Sequence, residues 1–188
     1  MTEKLAQWFA AYFSRSGLIK EDDRDLYALG FDVILSTLFT SVVILFFGLV
    51  GHNLPGSVVF LLCFMHIRNY SGGYHAKSRG MCFVVSVSCY LASWAAVRLL
   101  SVLQTPVRTG VILIVVVFTI VVFWLRAPVE NKNKRLPSDW KRRNRIRSFA
   151  ALGLWLVIAG VLFWFWPALA WQIVAAAGII AILLLGIE

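Results

Sequence analysis

An all-α polytopic integral membrane protein is the fold class this sequence predicts, with about six transmembrane helices behind an N-terminal amphipathic interfacial helix. Sixty per cent of the 188 residues are hydrophobic and 14% are charged, whereas a soluble domain averages just under half and about a quarter. Mean hydropathy is +0.80, and the apolar residues are gathered into runs of the roughly 20 that a spanning helix needs. The charges fall between those runs. So much hydrocarbon exceeds what the remaining polar surface can cover in water, so the bilayer is the natural solvent, and residues 1–188 are expected to form a single membrane domain.

The elements follow in chain order. In residues 3–16, Leu5, Trp8, Phe9, Tyr12 and Phe13 recur at spacings of three, four and seven, which is one face of a helix. Such a helix either lies on the membrane surface or packs against the protein's own cytoplasmic loops; residues 1–29 form this N-terminal amphipathic segment. Phe31–Val50 is the first apolar run, and Asp32 near its start is the only acidic residue inside any run. Gly51-His52-Asn53 and Pro55 predict a tight turn. The second run, Leu54–Ile67, is short, and its helix is expected to end or bend at His66 and Arg68; a re-entrant second or fifth run would leave four full spans instead of six. Met81–Leu103 is the third run. Gln104-Thr105-Pro106 turns the chain into the fourth, Val107–Leu125. A basic connector, residues 126–147, leads to Ser148–Trp166 and, past Pro167, Ala168–Ile187.

Cation placement predicts orientation. The N-terminal segment, the 68–82 loop and the connector together hold sixteen of the eighteen Lys and Arg, while Arg98 and Arg108 flank the opposite side. Short cytoplasmic loops carry the Lys and Arg excess, so both termini and both basic loops are expected to face the cytoplasm of a multi-pass protein in the cell membrane. The net charge of +9 is therefore assigned to topology and anionic headgroups, not to nucleic acid. The N-terminus, which mixes charges with aromatics, does not read as a signal peptide. Three cysteines, Cys63, Cys82 and Cys89, lie in or beside apolar stretches at no disulfide or zinc spacing, so reduced thiols are expected.

One stretch differs from membrane filler. Arg68-Asn-Tyr-Ser-Gly-Gly-Tyr-His75-Ala-Lys-Ser-Arg-Gly80-Met-Cys82 is polar, glycine-rich and cytoplasmic by the charge rule. It places a nucleophile and a base seven residues apart. A cysteine reacts as the thiolate, favoured by a neighbouring imidazole or cation, and Arg68, Lys77 and Arg79 lie close in sequence. A helix starting near Cys82 would add positive partial charge and free backbone N–H groups for an oxyanion. Seven residues of straight helix rise about 10.5 Å, while a nucleophile–base hydrogen bond spans about 2.6–3.2 Å. His75 must therefore fold back over the third span, with Gly72, Gly73 and Gly80 giving backbone freedom. Taken alone, a cysteine at a membrane helix end is ordinarily an apolar filler and a loop histidine a solvated side chain. Cys63 and Cys89 read as packing residues, His52 and His66 as interfacial, and Trp8, Trp94, Trp124, Trp155, Trp164, Trp166 and Trp171 as membrane anchors.

The Gly-Gly-x-His-Ala sequence with a cysteine seven residues after the histidine, and the connector Ala127-Pro-Val-Glu-Asn-Lys-Asn-Lys-Arg-Leu136, resemble the accessory gene regulator protein B family (AgrB) over nearly the whole chain. The resemblance implies a quorum-sensing membrane cysteine endopeptidase. Such an enzyme cleaves a small AgrD-type precursor peptide near its C-terminus, holds it as a thioester, and releases a cyclic thiolactone after attack by the precursor's own cysteine. By that resemblance Cys82 is the nucleophile and His75 the base. Arg68 is a site-organising or substrate-binding cation, and Gly72 and Gly73 are backbone requirements of the loop. Lys132, Lys134 and Arg135 either set orientation at the headgroups or also engage an acidic precursor tail. The family further implies a homodimer. Glu130, Asp139, Asn69 and Ser86 are open choices for a group that orients the imidazole. No metal or organic cofactor is expected: His-Glu-x-x-His is missing and the three histidines are scattered. The rival expectation is a non-enzymatic peptide exporter or sensor-complex subunit, although few ionisable residues lie inside the runs to form an ion path.

Overall fold

The computed structural model describes residues 2–71, 79–129 and 138–186. Among the described residues there are seven α-helices, no strand and a single 3-10 turn at Glu21–Asp23: α1 (Thr2–Arg15), α2 (Arg24–Val50), α3 (Leu54–Ser71), α4 (Arg79–Val102), α5 (Thr105–Arg126), α6 (Ser138–Phe165) and α7 (Pro167–Leu185). Helix is the form that satisfies backbone polar groups within each segment, as a bilayer requires. The chain divides into two compact units, Met1–Phe46 and Phe47–Glu188, the boundary falling inside α2.

In the first unit, α1 forms where the apolar periodicity predicts it. Its Ala6 and Ala10 are buried, and Phe9 and Phe13 meet the Phe31 ring of α2 at centroid distances of 6.0 and 5.5 Å. Leu5, Trp8 and Tyr12 remain exposed. The expected apolar face is thus two stripes: one made of small residues and phenylalanines against α2, the other a free Leu-Trp-Tyr edge. Packing against a loop, the alternative for this helix, gives way to packing against a spanning helix.

The second unit is arranged around α7, which packs against α3, α4, α5 and α6. Three of its helices, α3, α5 and α7, open with a proline in the first turn (Pro55, Pro106, Pro167), where the missing N–H is of no consequence and φ is already helical. The preceding turns are short. At the first, His52 takes a left-handed φ of 52°, a region in which histidine is over-represented, and the Asn53 N–H donates to the Gly48 carbonyl at 2.7 Å. Gly48 is required there: a Cβ on it would collide with Ser57, whose Oγ shares a 2.7 Å hydrogen bond with the Tyr90 hydroxyl.

Cross-helix contacts set the directions. Arg98 reaches the Gly51 carbonyl just before α3 while Ser57 and Phe60 meet Tyr90, and His66 and Tyr70 meet Trp155 and Arg147, so α3 runs antiparallel to α4 and α6. Arg108 lies over Trp171 and Val115 beside Gly178, so α5 and α7 run the same way. The starts of α4 and α6 and the ends of α3 and α5 therefore share one end of the unit, the basic end. The proline turns lie at the other.

The expectation of about six spans holds approximately, with one helix less clear than the others. Among the described residues five helices are long and apolar enough to cross a membrane: Glu21–Val50, Gly80–Val102, Thr105–Arg126, Trp140–Phe165 and Pro167–Leu185. The sixth expected span, α3, does not end at His66 and Arg68 but continues as helix to Ser71. Its 18 residues rise about 27 Å, just under the roughly 30 Å hydrocarbon thickness, and its last turns are polar. The basic connector also proves shorter than residues 126–147, because α6 begins at Ser138. Lysine and arginine are good helix formers, so the charged stretch continues the helix instead of interrupting it.

Candidate active site

The segment expected as a catalytic loop, residues 68–82, is helical at both ends. Arg68–Ser71 complete α3, and Arg79–Cys82 form the first turn of α4. Cys82 is a free thiol, half-buried, in the turn whose backbone N–H groups have no intrahelical acceptor and whose helix dipole favours an anion. The sequence led to the expectation of a helix starting near Cys82, and α4 starts at Arg79. Gly80, expected to give the loop backbone freedom, is the second residue of α4, with none of the described residues within 4 Å of where a Cβ would stand.

Arg68 occupies the last turn of α3, where a cation complements the helix dipole. Its guanidinium lies 5.5 Å from the Phe64 ring centroid. Because α3 and α4 are antiparallel, Arg68 and Cys82 belong to the same, basic end. His75, Gly72, Gly73, Lys132, Lys134 and Arg135 lie outside the described residues, as does Glu130 and the side chain of Asp139. Of the other choices for an orienting group, Asn69 is exposed, and Ser86 is buried one turn beyond Cys82 on the same helix. Cys63 and Cys89 are buried, in keeping with a packing role.

Around these residues the basic end is tied together by contacts that hydropathy did not reveal. The Val129 N–H donates to the Ser71 carbonyl at 3.0 Å, which joins the start of the connector to the end of α3. Arg145 donates to the Trp124 carbonyl at 3.1 Å, linking α6 to the end of α5, and its guanidinium stacks on the Trp124 ring at 5.4 Å. Arg147 lies 5.9 Å from the Tyr70 ring centroid. The Trp155 indole donates to His66 Nδ1 at 3.1 Å, and the His66 ring also meets Tyr70 edge-on. His66 thus packs between helices, and Trp155 is a helix-to-helix hydrogen-bond donor, not a membrane anchor. One clue was present: Trp155 falls in the middle of its apolar run, where an interfacial tryptophan has no headgroup to meet. Trp155 is half-buried and Trp171 buried, while Trp8, Trp124, Trp164 and Trp166 are exposed as expected.

A cysteine in the first turn of a helix suits nucleophilic attack on a carbonyl, with nearby N–H groups to receive the developing oxyanion. Among the described residues no cluster of three or more His, Cys, Asp and Glu side chains stands in a position to hold a metal.

Comparison with known proteins agrees with the motifs. No solved structure matches the chain. The accessory gene regulator protein B of Staphylococcus carnosus is 23% identical over 163 residues, covering 85% of this chain and 80% of its own length. That of Staphylococcus haemolyticus is 26% identical, covering 80% and 78%. A putative AgrB-like protein 2 of Clostridium perfringens is 21% identical, covering 76% and 68%. The profile of the family described as Accessory gene regulator B matches residues 2–187, so this multi-pass membrane protein belongs to the AgrB family.

Proposed function

We propose that the chain is a membrane cysteine endopeptidase that matures a small AgrD-type precursor into a cyclic thiolactone signal. Family membership supports a role in the accessory gene regulator quorum-sensing system. The observation that carries the enzymatic reading is the position of Cys82: a free, half-buried thiol in the first turn of α4, at the end of the bundle where Arg68 and the helical part of the basic connector gather.

In the proposed reaction the Cys82 thiolate attacks the scissile carbonyl of the precursor. The C–N bond breaks, the C-terminal fragment leaves as an amine carrying a proton from His75, and the N-terminal fragment remains as a thioester on Cys82. A cysteine thiol of the precursor then gives its proton to His75 and attacks that thioester. The thiolactone departs, and Cys82 is regenerated as thiolate. One thioester is exchanged for another, so ring closure needs no nucleotide, provided water is kept from the acyl-enzyme. Arg68 holds or orients the precursor backbone, Gly72 and Gly73 let His75 reach the sulfur, and Lys132, Lys134 and Arg135 bind an acidic precursor tail. The basic end faces the cytoplasm in this scheme, by the positive-inside rule, and the enzyme works as a homodimer.

The test is co-expression with a cognate precursor. Cys82→Ala and His75→Ala should leave the precursor uncut while membrane levels of the protein stay unchanged. A precursor whose own cysteine is replaced by alanine should accumulate as a thioester adduct on Cys82, visible as a mass increase that hydroxylamine removes. Full processing by Cys82→Ala would refute the scheme.

A further inference from the structure

At the opposite end of the second unit, α5, α6 and α7 border a half-open apolar groove of about 210 Å³, walled by Ile112, Val116, Leu156, Gly160, Phe163 and Trp171 among others. It is larger than the roughly 150 Å³ cavity known to hold benzene. Gly160 keeps its wall open, with nothing within 4 Å of where a Cβ would stand. Trp171 is 7% exposed, and its indole N–H is buried without an acceptor among the described residues. The Arg108 guanidinium lies 4.7 Å above the Trp171 ring. Arg108, Ile112 and Val116 succeed one another at four-residue spacing, hence on one stripe of α5. The Arg108 guanidinium forms no ion pair among the described residues, and its only hydrogen bond there is to Thr105 Oγ1 at 3.4 Å.

A cation, then a buried unsatisfied N–H, then an apolar trough, in that order along two helices, match a phosphate, an ester carbonyl and an acyl chain. We infer that this groove is a binding site for one anionic glycerophospholipid. The phosphate sits on Arg108, whose planar fork suits phosphate oxygens. The indole N–H of Trp171 donates to an ester carbonyl, which removes the cost of leaving a buried donor unpaired. One acyl chain fills the space beside Gly160. A zwitterionic lipid offers the same chain but neutralises the phosphate's pull on Arg108, so charge decides between headgroups.

Native mass spectrometry of the full chain released from nanodiscs of mixed phosphatidylglycerol and phosphatidylcholine tests this. One phosphatidylglycerol per chain should be retained in preference to phosphatidylcholine. Arg108→Gln should lower that preference about fivefold, the effect of removing one cation near a membrane surface. Gly160→Leu should abolish retention by filling the trough. Arg98→Gln is the control: this cation lies over Trp94, outside the groove, and its loss should change nothing. Thermal unfolding of each variant reports whether it is folded, and Trp171→Phe, which keeps the ring and drops the donor, substitutes for any that is not. Equal retention of both lipids, or undiminished phosphatidylglycerol retention in folded Gly160→Leu or in Trp171→Phe, would overturn the inference. So would displacement of the lipid by an apolar precursor peptide, which would make the groove a substrate channel.

Discussion

Helices α5 and α7 are a matched pair in sequence and opposites in place. Both begin at a proline, both are long and apolar enough to span a membrane, and they run side by side in the same direction. Yet 61% of the apolar window of α7 is buried within the protein against 17% of that of α5. Residue size explains the difference. Ala170, Ala175–Gly178 and Ala181 leave α7 slender, so four neighbours approach it; α5 is built mostly from Val, Ile, Leu and Phe, which present their bulk outward. Lipid tails are as apolar as leucine, so hydrophobicity does not draw one helix inward over another. Close packing and a few interhelical hydrogen bonds do. The pair shows that position in a membrane bundle is encoded in side-chain volume, which a hydropathy average discards.

That contrast is open to direct attack. The largest effect is expected at the two glycines that distinguish the helices. A Cβ on Gly178 would stand 2.9 Å from Val115, whereas one on Gly110 meets nothing within 4 Å. Valine is stiff at χ1, so Gly178→Leu should cost about 3 kcal/mol through overpacking, while Gly110→Leu should leave unfolding in detergent nearly unchanged. Equal losses at both positions would remove the distinction. A smaller effect is expected where α7 carries its one buried amide: Gln172 Nε2 donates to Ser93 Oγ at 2.6 Å. Ser93→Ala should destabilise by about 1 kcal/mol, and a double-mutant cycle with Gln172→Leu should return a coupling of about 0.6 kcal/mol, the average for such pairs in membranes. Trp155→Phe, which drops the donor to His66 at the basic end, should show a loss of the same order; no change in the unfolding midpoint would mean that bond does not secure α6 to α3. Smallest of all, Ile114→Ala on the 70% exposed flank of α5 should stay within about 0.5 kcal/mol, and a larger loss would place that flank against protein instead of lipid.

The elements most legible in the sequence were those fixed by local chemistry. Pro55, Pro106 and Pro167 marked three helix starts because proline fits only the first turn. The spacing of Phe9 and Phe13 marked the packed face of α1, and Cys82 was legible as a residue at the head of a helix. What escaped depended on partners distant in the chain. Trp155 and Trp171 looked like their interfacial counterparts because a tryptophan carries no record of whether its N–H meets a headgroup, His66, or nothing. The polar tail of α3 and the basic head of α6 looked like loops because average hydropathy measures affinity for lipid, not helix formation. Neither reads the Arg147–Tyr70 and Val129–Ser71 contacts that bind those segments together.

By itself, then, the sequence determined the class of fold, the segmentation into apolar helices, the residue types available for chemistry at the basic end, and the family. Those follow from composition, period and motif, each a property of neighbours in the chain. Tertiary structure alone decided that α7 is the hub, that Arg68 and Cys82 share one end, and that Arg108 and Trp171 border a groove at the other. Each of these is set by which helices come close enough to touch, and that depends on the complementary volumes of side chains far apart in the chain.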